Sequence, residues 1–446
     1  MASESAPELG DVAAPAKTFV GSLRSSSEEV LRRSRERLLE VVEADTKRVV
    51  AFQEYCGVRM KDQSLKYSSG ELVHEAATGD GDEKHSTVTA SFHEATYTKA
   101  PLLLDMLFQF GAGLGNELFY ILFLPNFIWT VNYRLGRRLV LMWTLMYYVG
   151  QLLKDLMKLP RPPSPPVVRL ETHYSMEYGL PSTHAMAAAS IPFFLAYSLT
   201  PENWYSGSTA GEQGLFGATV VLWLLAFGWF SVMTVSRLYM GVHSVVDVQA
   251  GMALGLLSLF SFLLFGEKFD DMLMTSSYGG AVAVAGGITL VLAYYFITRP
   301  PRWTPCYGDT ALIVAVGMGA VLGNRLLYAD DLAAFYSDEL SPTTVLPRLL
   351  AHTTPTGARP MAPSDWAMMF VARSLVAYAL LMIARTVCKF VVGNLVEMVL
   401  PASSAPRKER YEVEIPTKLV TYSLIGFLSA GVVRPLFQFY GWWYAV

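Results

Sequence analysis

Ser236-Arg237-Leu238-Tyr239-Met240-Gly241-Val242-His243-Ser244-Val245-Val246-Asp247 stands at the junction of two long apolar runs, 215–234 and 243–265. Each run approaches or exceeds the roughly 20 residues that a helix needs to cross a bilayer. Ionisable residues at a membrane boundary are costly, so they pair, face a wet cavity or carry function. His243 and Asp247 are four apart and share one helix face. A carboxylate there can take the proton of one ring nitrogen, which fixes the tautomer and sharpens the other nitrogen as a nucleophile. Alone, the set also reads as a helix cap with a salt bridge, or as half of a metal site.

Working outward, the whole chain has membrane character. Of its 446 residues, 52% are hydrophobic and 16% charged, and the mean hydropathy is +0.32. Soluble domains carry about 25% charged residues. Apolar runs of spanning length lie near 107–131, 139–157, 183–199, 215–234, 243–265, 279–298, 308–329, 366–386 and 418–438. The expected fold is all-α, a polytopic integral membrane helix bundle with about nine spans and its core helices near 107–265. Two of the runs are ambiguous: 101–131 also reads as an interfacial helix and a span broken around Gly111-Ala112-Gly113-Leu114-Gly115, and 366–400 as a span and an interfacial helix split near Arg385.

Three regions follow. Residues 1–100 are an extramembrane region: 1 to about 25 have a disordered composition, 27–59 form an amphipathic helix packed on the body, and 60–95 are a polar linker. Residues 101–266 hold the core helices, and 267–446 add further spans. Orientation is poorly marked, since Arg134, Arg137 and Arg138 oppose Lys389, Arg407, Lys408 and Arg410. A net charge of −3 gives no support for nucleic-acid binding. Cys56, Cys306 and Cys388 lack metal-ligand spacing and read as unpaired thiols. Nothing in the sequence supports a homo-oligomer.

Two further clusters complete the pattern. Lys154-Asp155-Leu156-Met157-Lys158-Leu159-Pro160-Arg161-Pro162 closes the second run, with prolines that end the helix and hold Arg161 on a stiff segment. Gly179-Leu180-Pro181-Ser182-Thr183-His184 opens the third; Ser182 or Thr183 caps it, and its N-terminus favours an anion. Each cluster alone is an ordinary helix end. Alternating the spans brings the loops 159–181 and 235–242 to one side, and with them Lys154, Arg161, Arg237, His184, His243 and Asp247. Three cations with no acidic cluster to balance them suit a multiply charged oxyanion. They would repel a divalent ion, so the expectation is phosphoryl transfer with no metal and no cofactor.

Lys154-x6-Arg161-Pro162, Pro181-Ser182-Thr183-His184 and Ser236-Arg237-x5-His243-x3-Asp247 resemble, in order and spacing, the three signature motifs of the type-2 phosphatidic acid phosphatase superfamily. Thr183, where many members have Gly, and the segments Tyr148–Asp155, Pro160–Val168 and Tyr178–His184 are similar to the sphingosine-1-phosphate (long-chain base phosphate) phosphatase branch. The likeness covers about 105–265 strongly, the later spans loosely, and the first 100 residues not at all.

The resemblance implies roles. Lys154, Arg161, Arg237, Ser182 and the Thr183 backbone would hold the phosphate. His243, oriented by Asp247, would form a phosphohistidine, while His184 would protonate the leaving alkoxide and then activate water. It further implies metal independence and a multi-pass endoplasmic reticulum location, with the site facing the lumen. The partners would be membrane lipids and a lipid phosphate substrate. Another phospholipid or an isoprenoid diphosphate, a phosphotransferase reaction, and transport of a phosphorylated solute are the alternatives. Glu117, in the first apolar run, is a candidate contact for the amine of a long-chain base phosphate or an ion-pair partner for Arg325 or Arg373.

Overall fold

The structure is a computed structural model that describes residues 13–60, 97–171, 176–201, 210–298, 303–327, 363–400 and 410–439. Among these it is almost wholly helical, and all nine apolar runs fall on helices. In chain order these are α1 (Ala13–Tyr55), α2 (Leu102–Gly113), α3 (Glu117–Thr130), α4 (Tyr133–Met157), α5 (Thr183–Leu199) and α6 (Ala210–Tyr239). They continue with α7 (Val245–Thr275), α8 (Gly279–Thr298), α9 (Pro305–Leu327), α10 (Pro363–Val399), α11 (Tyr411–Phe427) and α12 (Val433–Phe439). A π-helical turn, Leu428–Val432, joins the last two. One short antiparallel pair, Arg59–Met60 with Tyr97–Thr98, ties the end of α1 to the start of the bundle.

Six described helices are long and apolar enough to cross a membrane, or seven if α2 and α3, bent by 64° at their junction, make one span. The helices α4 and α5 lie outside that set. Helix α4 carries Arg134, Arg137, Arg138, Lys154 and Asp155 near its ends. Helix α5 has 17 residues, 14 of them buried. A helix wrapped by protein needs no lipid-facing stripe, so neither breaks the pattern. Helix α5 packs on α7 and α6, and α4 packs on α9, α5 and α7. The outer helices turn Leu103, Leu264, Phe390 and Val399 outward, where lipid tails cost nothing to face.

Three expectations change. Residues 363–399 form one continuous helix rather than a span and an interfacial piece. No proline interrupts it after the first residue, and Arg385 is held in register by Tyr422, whose hydroxyl accepts from Nε at 3.2 Å. Helix α1 starts at Ala13 rather than near 27, so part of the segment expected to be disordered is helical. Residues 1–12 and 61–96, which include the linker, lie outside the described residues. Finally, Arg134, Arg137 and Arg138 do not mark a membrane side as unpaired cations. Arg137 holds Asp270 through two 2.7 Å bonds in a fully buried pair, Arg138 reaches Glu267 and Asp270, and Arg134 reaches Asp271. Their charge is spent inside the bundle, which is why orientation was illegible.

Helix α1 packs on α7 and α6. Its Gln53 is buried and donates to the carbonyls of Val168 (2.7 Å) and Tyr239 (2.9 Å) while accepting from Val168 N–H (3.0 Å). Asp45 accepts from Val246 N–H at 2.8 Å, at the N-terminus of α7. One amphipathic helix thus braces both loops that the sequence marked.

Candidate active site

The ends of α4 and α6 and the starts of α5 and α7 meet at one end of the bundle, and all eight expected active-site residues are buried there. Helix α4 stops at Lys158, whose left-handed backbone (φ 50°) turns the chain into the proline segment. Ser182 is the N-cap of α5: its Oγ accepts from Ala185 N–H at 3.3 Å, leaving its O–H as a donor. Ser182 N–H donates to the Asp247 carbonyl at 3.1 Å, which locks the starts of α5 and α7 together. Ser244 and Asp247 form a capping box at α7, with Asp247 Oδ2 accepting from Ser244 N–H at 2.8 Å. Arg237, expected in the loop, sits in the last turn of α6.

His243 is the hub. Its Nε2 lies 3.2 Å from Arg161 Nη1, which also donates to the Val242 carbonyl at 2.8 Å. A guanidinium only donates, so Nε2 is the accepting nitrogen and the ring proton belongs on Nδ1. Nδ1 faces Asp247 Oδ2 at 3.6 Å, longer than a hydrogen bond. Among the described residues neither His243 Nδ1 nor Asp247 Oδ1 has a hydrogen-bond partner. The expected orienting pair is therefore adjacent but not closed, as catalytic hydrogen bonds often are before substrate tightens them. Burial, and then the charges of Arg161, Lys154 and Arg237, push the His243 pKa well below its usual value. The imidazole is thus neutral, with a lone pair directed at a cationic cluster.

His184, in the first turn of α5, approaches Asn116 Oδ1 at 3.4 Å through Nε2. The backbone at Gly115 runs so close that a Cβ there would overlap the His184 ring. The α2–α3 break, legible as a glycine-rich stretch, thus fits against this histidine. Glu117 departs from its expected setting. It is exposed in the first turn of α3, and Arg325 donates instead to the carbonyls of Leu273 and Met274.

The cations are not bare, which corrects the expectation of an unbalanced cluster. Lys154 Nζ lies 2.5 Å from Glu177 Oε2 and 3.4 Å from Thr183 Oγ1. Arg161 Nε donates to the Glu177 carbonyl at 3.1 Å, and its Nη2 is 3.7 Å from the same carboxylate. Arg237 Nη1 is 3.3 Å from Glu171 Oε2 and its fork also reaches Ser236 Oγ. Desolvated cations need such partners. Sequence reasoning passed over both glutamates. The available signal was that they are the two acidic residues in the 159–181 loop. A cavity of about 360 Å³ reaches this cluster, with Asn116 and Glu171 in its wall beside Asp105, Gln109 and Lys99. Asn116 and Glu171 connect that wall to His184 and Arg237.

Residues 135–270 match the family model described as the PAP2 superfamily. The chain is 32% identical over 367 residues to a protein of Mus musculus named sphingosine-1-phosphate phosphatase 1, covering 81% of this chain and 78% of that one. To a Homo sapiens protein named sphingosine-1-phosphate phosphatase 2 it is 32% identical over 339 residues, covering 75% and 77%. A lipid phosphate phosphatase delta of Arabidopsis thaliana is 28% identical over 291 residues, covering 63% and 65%. No solved structure matches the chain. The chain belongs to the PAP2 superfamily, in the sphingosine-1-phosphate phosphatase branch, and is a membrane-embedded phosphatase.

Proposed function

We propose that the chain hydrolyses sphingosine 1-phosphate or related long-chain base 1-phosphates to the free base and phosphate at the endoplasmic reticulum membrane, with the site on the lumenal side. The observation that carries this reading is the convergence of Lys154, Arg161 and Arg237 on His243 and His184 at one end of the bundle. The similarity to phosphatases named for that substrate supports the choice of lipid.

Lys154, Arg161 and Arg237 hold the phosphate oxygens, with Ser182 O–H and the Thr183 backbone at the positive end of α5. His243 Nε2 attacks phosphorus in line and the bond from phosphorus to the ester oxygen breaks; His184, holding a proton that the negative charge of the bound phosphate stabilises, gives it to the departing alkoxide. Asp247 takes the Nδ1–H bond and steadies the positive charge that develops on His243. His184, now neutral, removes a proton from water. The water oxygen then attacks the phosphohistidine and restores His243. Glu117, next to Asn116, is exposed at the margin of the site.

Purified protein in detergent with EDTA should release phosphate from sphingosine 1-phosphate. A strict requirement for a divalent cation would overturn the mechanism.

A further inference from the structure

Every phosphate-binding cation in the proposed site carries a carboxylate from a single loop, and Glu177 is the one most firmly built in. Its side chain is 8% exposed, with Oε2 2.5 Å from Lys154 Nζ and 3.7 Å from Arg161 Nη2. Its backbone is fixed as well, because its carbonyl accepts from Arg161 Nε at 3.1 Å and Gly179 N–H donates to the Leu159 carbonyl at 2.8 Å. A carboxylate in that position occupies the donors that two phosphate oxygens would use.

Substrate phosphate must therefore take Lys154 and Arg161 from Glu177. The carboxylate, tethered by its backbone to Arg161, is then left beside a second anion with little water to screen the two. Like charges in such a setting repel strongly. A lipid phosphate with no positive charge offers no relief. A long-chain base phosphate does, because its ammonium sits two carbons from the ester oxygen, within reach of groups that line the phosphate pocket. Glu171, on Arg237 and in the cavity wall, adds negative potential on the same side.

We propose that Glu177 is a specificity-determining residue: its carboxylate passes from Lys154 to the substrate ammonium and selects lipid phosphates that carry one. This rests on the phosphatase reading above. It also moves the amine contact from Glu117, which is exposed, to a buried carboxylate already on the phosphate cations.

The test compares kcat/KM for sphingosine 1-phosphate and for its N-acetyl derivative, which keeps chain and phosphate but has no ammonium. Wild-type protein, Glu177→Gln and Glu117→Gln are assayed in the same mixed micelles. Wild type should favour the free amine by about tenfold to a hundredfold, the worth of one charge-assisted hydrogen bond. Glu177→Gln should lose most of that preference, through a higher KM for the amine and a smaller change on the amide. An unaltered ratio in Glu177→Gln overturns the proposal, as does an equal loss on both substrates or a ratio that collapses in Glu117→Gln instead. Should Glu177→Gln fail to fold, the wild-type ratio still decides, since no preference for the amine refutes the assignment. Release of phosphate from neither lipid by wild type would bring down the phosphatase reading, and this inference with it.

Discussion

Gly251→Ala probes whether the two halves of the site depend on the closeness of α5 and α7. Gly251 faces the start of α5. A Cβ added there would lie 2.9 Å from Ala185 Cβ and 3.3 Å from the Ser182 carbonyl carbon, and the Ser182 oxygen would be nearer still. Ordinary contact begins at 3.4 Å, so the helices must part by roughly 1 Å or the local backbone must shift as much. Overpacking of this kind costs about 1–3 kcal/mol. The catalytic effect should be larger, because Ser182 N–H bonds to the Asp247 carbonyl and the displaced turn carries Ser182, Thr183 and His184. A 1 Å misplacement of reacting groups is worth about a hundredfold in rate. The assay is kcat/KM on sphingosine 1-phosphate in detergent, with thermal unfolding measured in parallel. Gly228→Ala on α6, where a Cβ meets nothing within 4 Å, is the matched control. Wild-type turnover and unfolding temperature in Gly251→Ala would refute the packing argument.

Two further outcomes follow from the same contacts. Gln53→Ala strands the Val168 N–H and the carbonyls of Val168 and Tyr239. It should lower stability by about 2 kcal/mol or more in a denaturation titration, with kcat falling as the Arg161 segment and the end of α6 that carries Arg237 loosen. An unchanged midpoint would show that α1 does not brace the site. His243→Gln should abolish turnover, and it should also flatten a pH slope in stability. The native pKa of His243 is depressed, so its contribution is present above the unfolded value of about 6.5 and is lost as pH falls below it. Wild type should therefore lose more thermal stability between about pH 7 and pH 5 than the variant; parallel curves would contradict the buried neutral imidazole.

The helices and the motif clusters were legible because each has a local signature. Apolar runs near spanning length need no partner to be recognised, and prolines at 160 and 162 or a Ser182 cap announce a helix end on their own. What escaped was set by contacts between distant residues. Gln53 meets Val168 and Tyr239 across 115 and 186 positions, and a lone glutamine in an amphipathic helix has no mark of its own. Arg137 reads as a basic flank until Asp270, 133 residues away, is seen against it. Glu171 and Glu177 were visible in the marked loop, but their side chains could equally have faced water. The distance between His243 and Asp247 shows the limit of spacing arguments, since i to i+4 gives a shared face but does not close a bond.

The shortness of α5 sets the depth at which the chemistry happens. Its 17 residues rise only ~26 Å at about 1.5 Å each, less than the ~30 Å hydrocarbon thickness of a bilayer. Helix α5 begins at Thr183, so a bilayer centred on it would place the floor of the site about 2 Å inside the hydrocarbon boundary. A lipid phosphate can then settle onto the cations without drawing its tail out of the leaflet, and no apolar surface has to be exposed to reach the reaction. A polar cavity walled by Lys99, Asp105 and Asn116 lies beside that end of the helix, with Asn116 against His184.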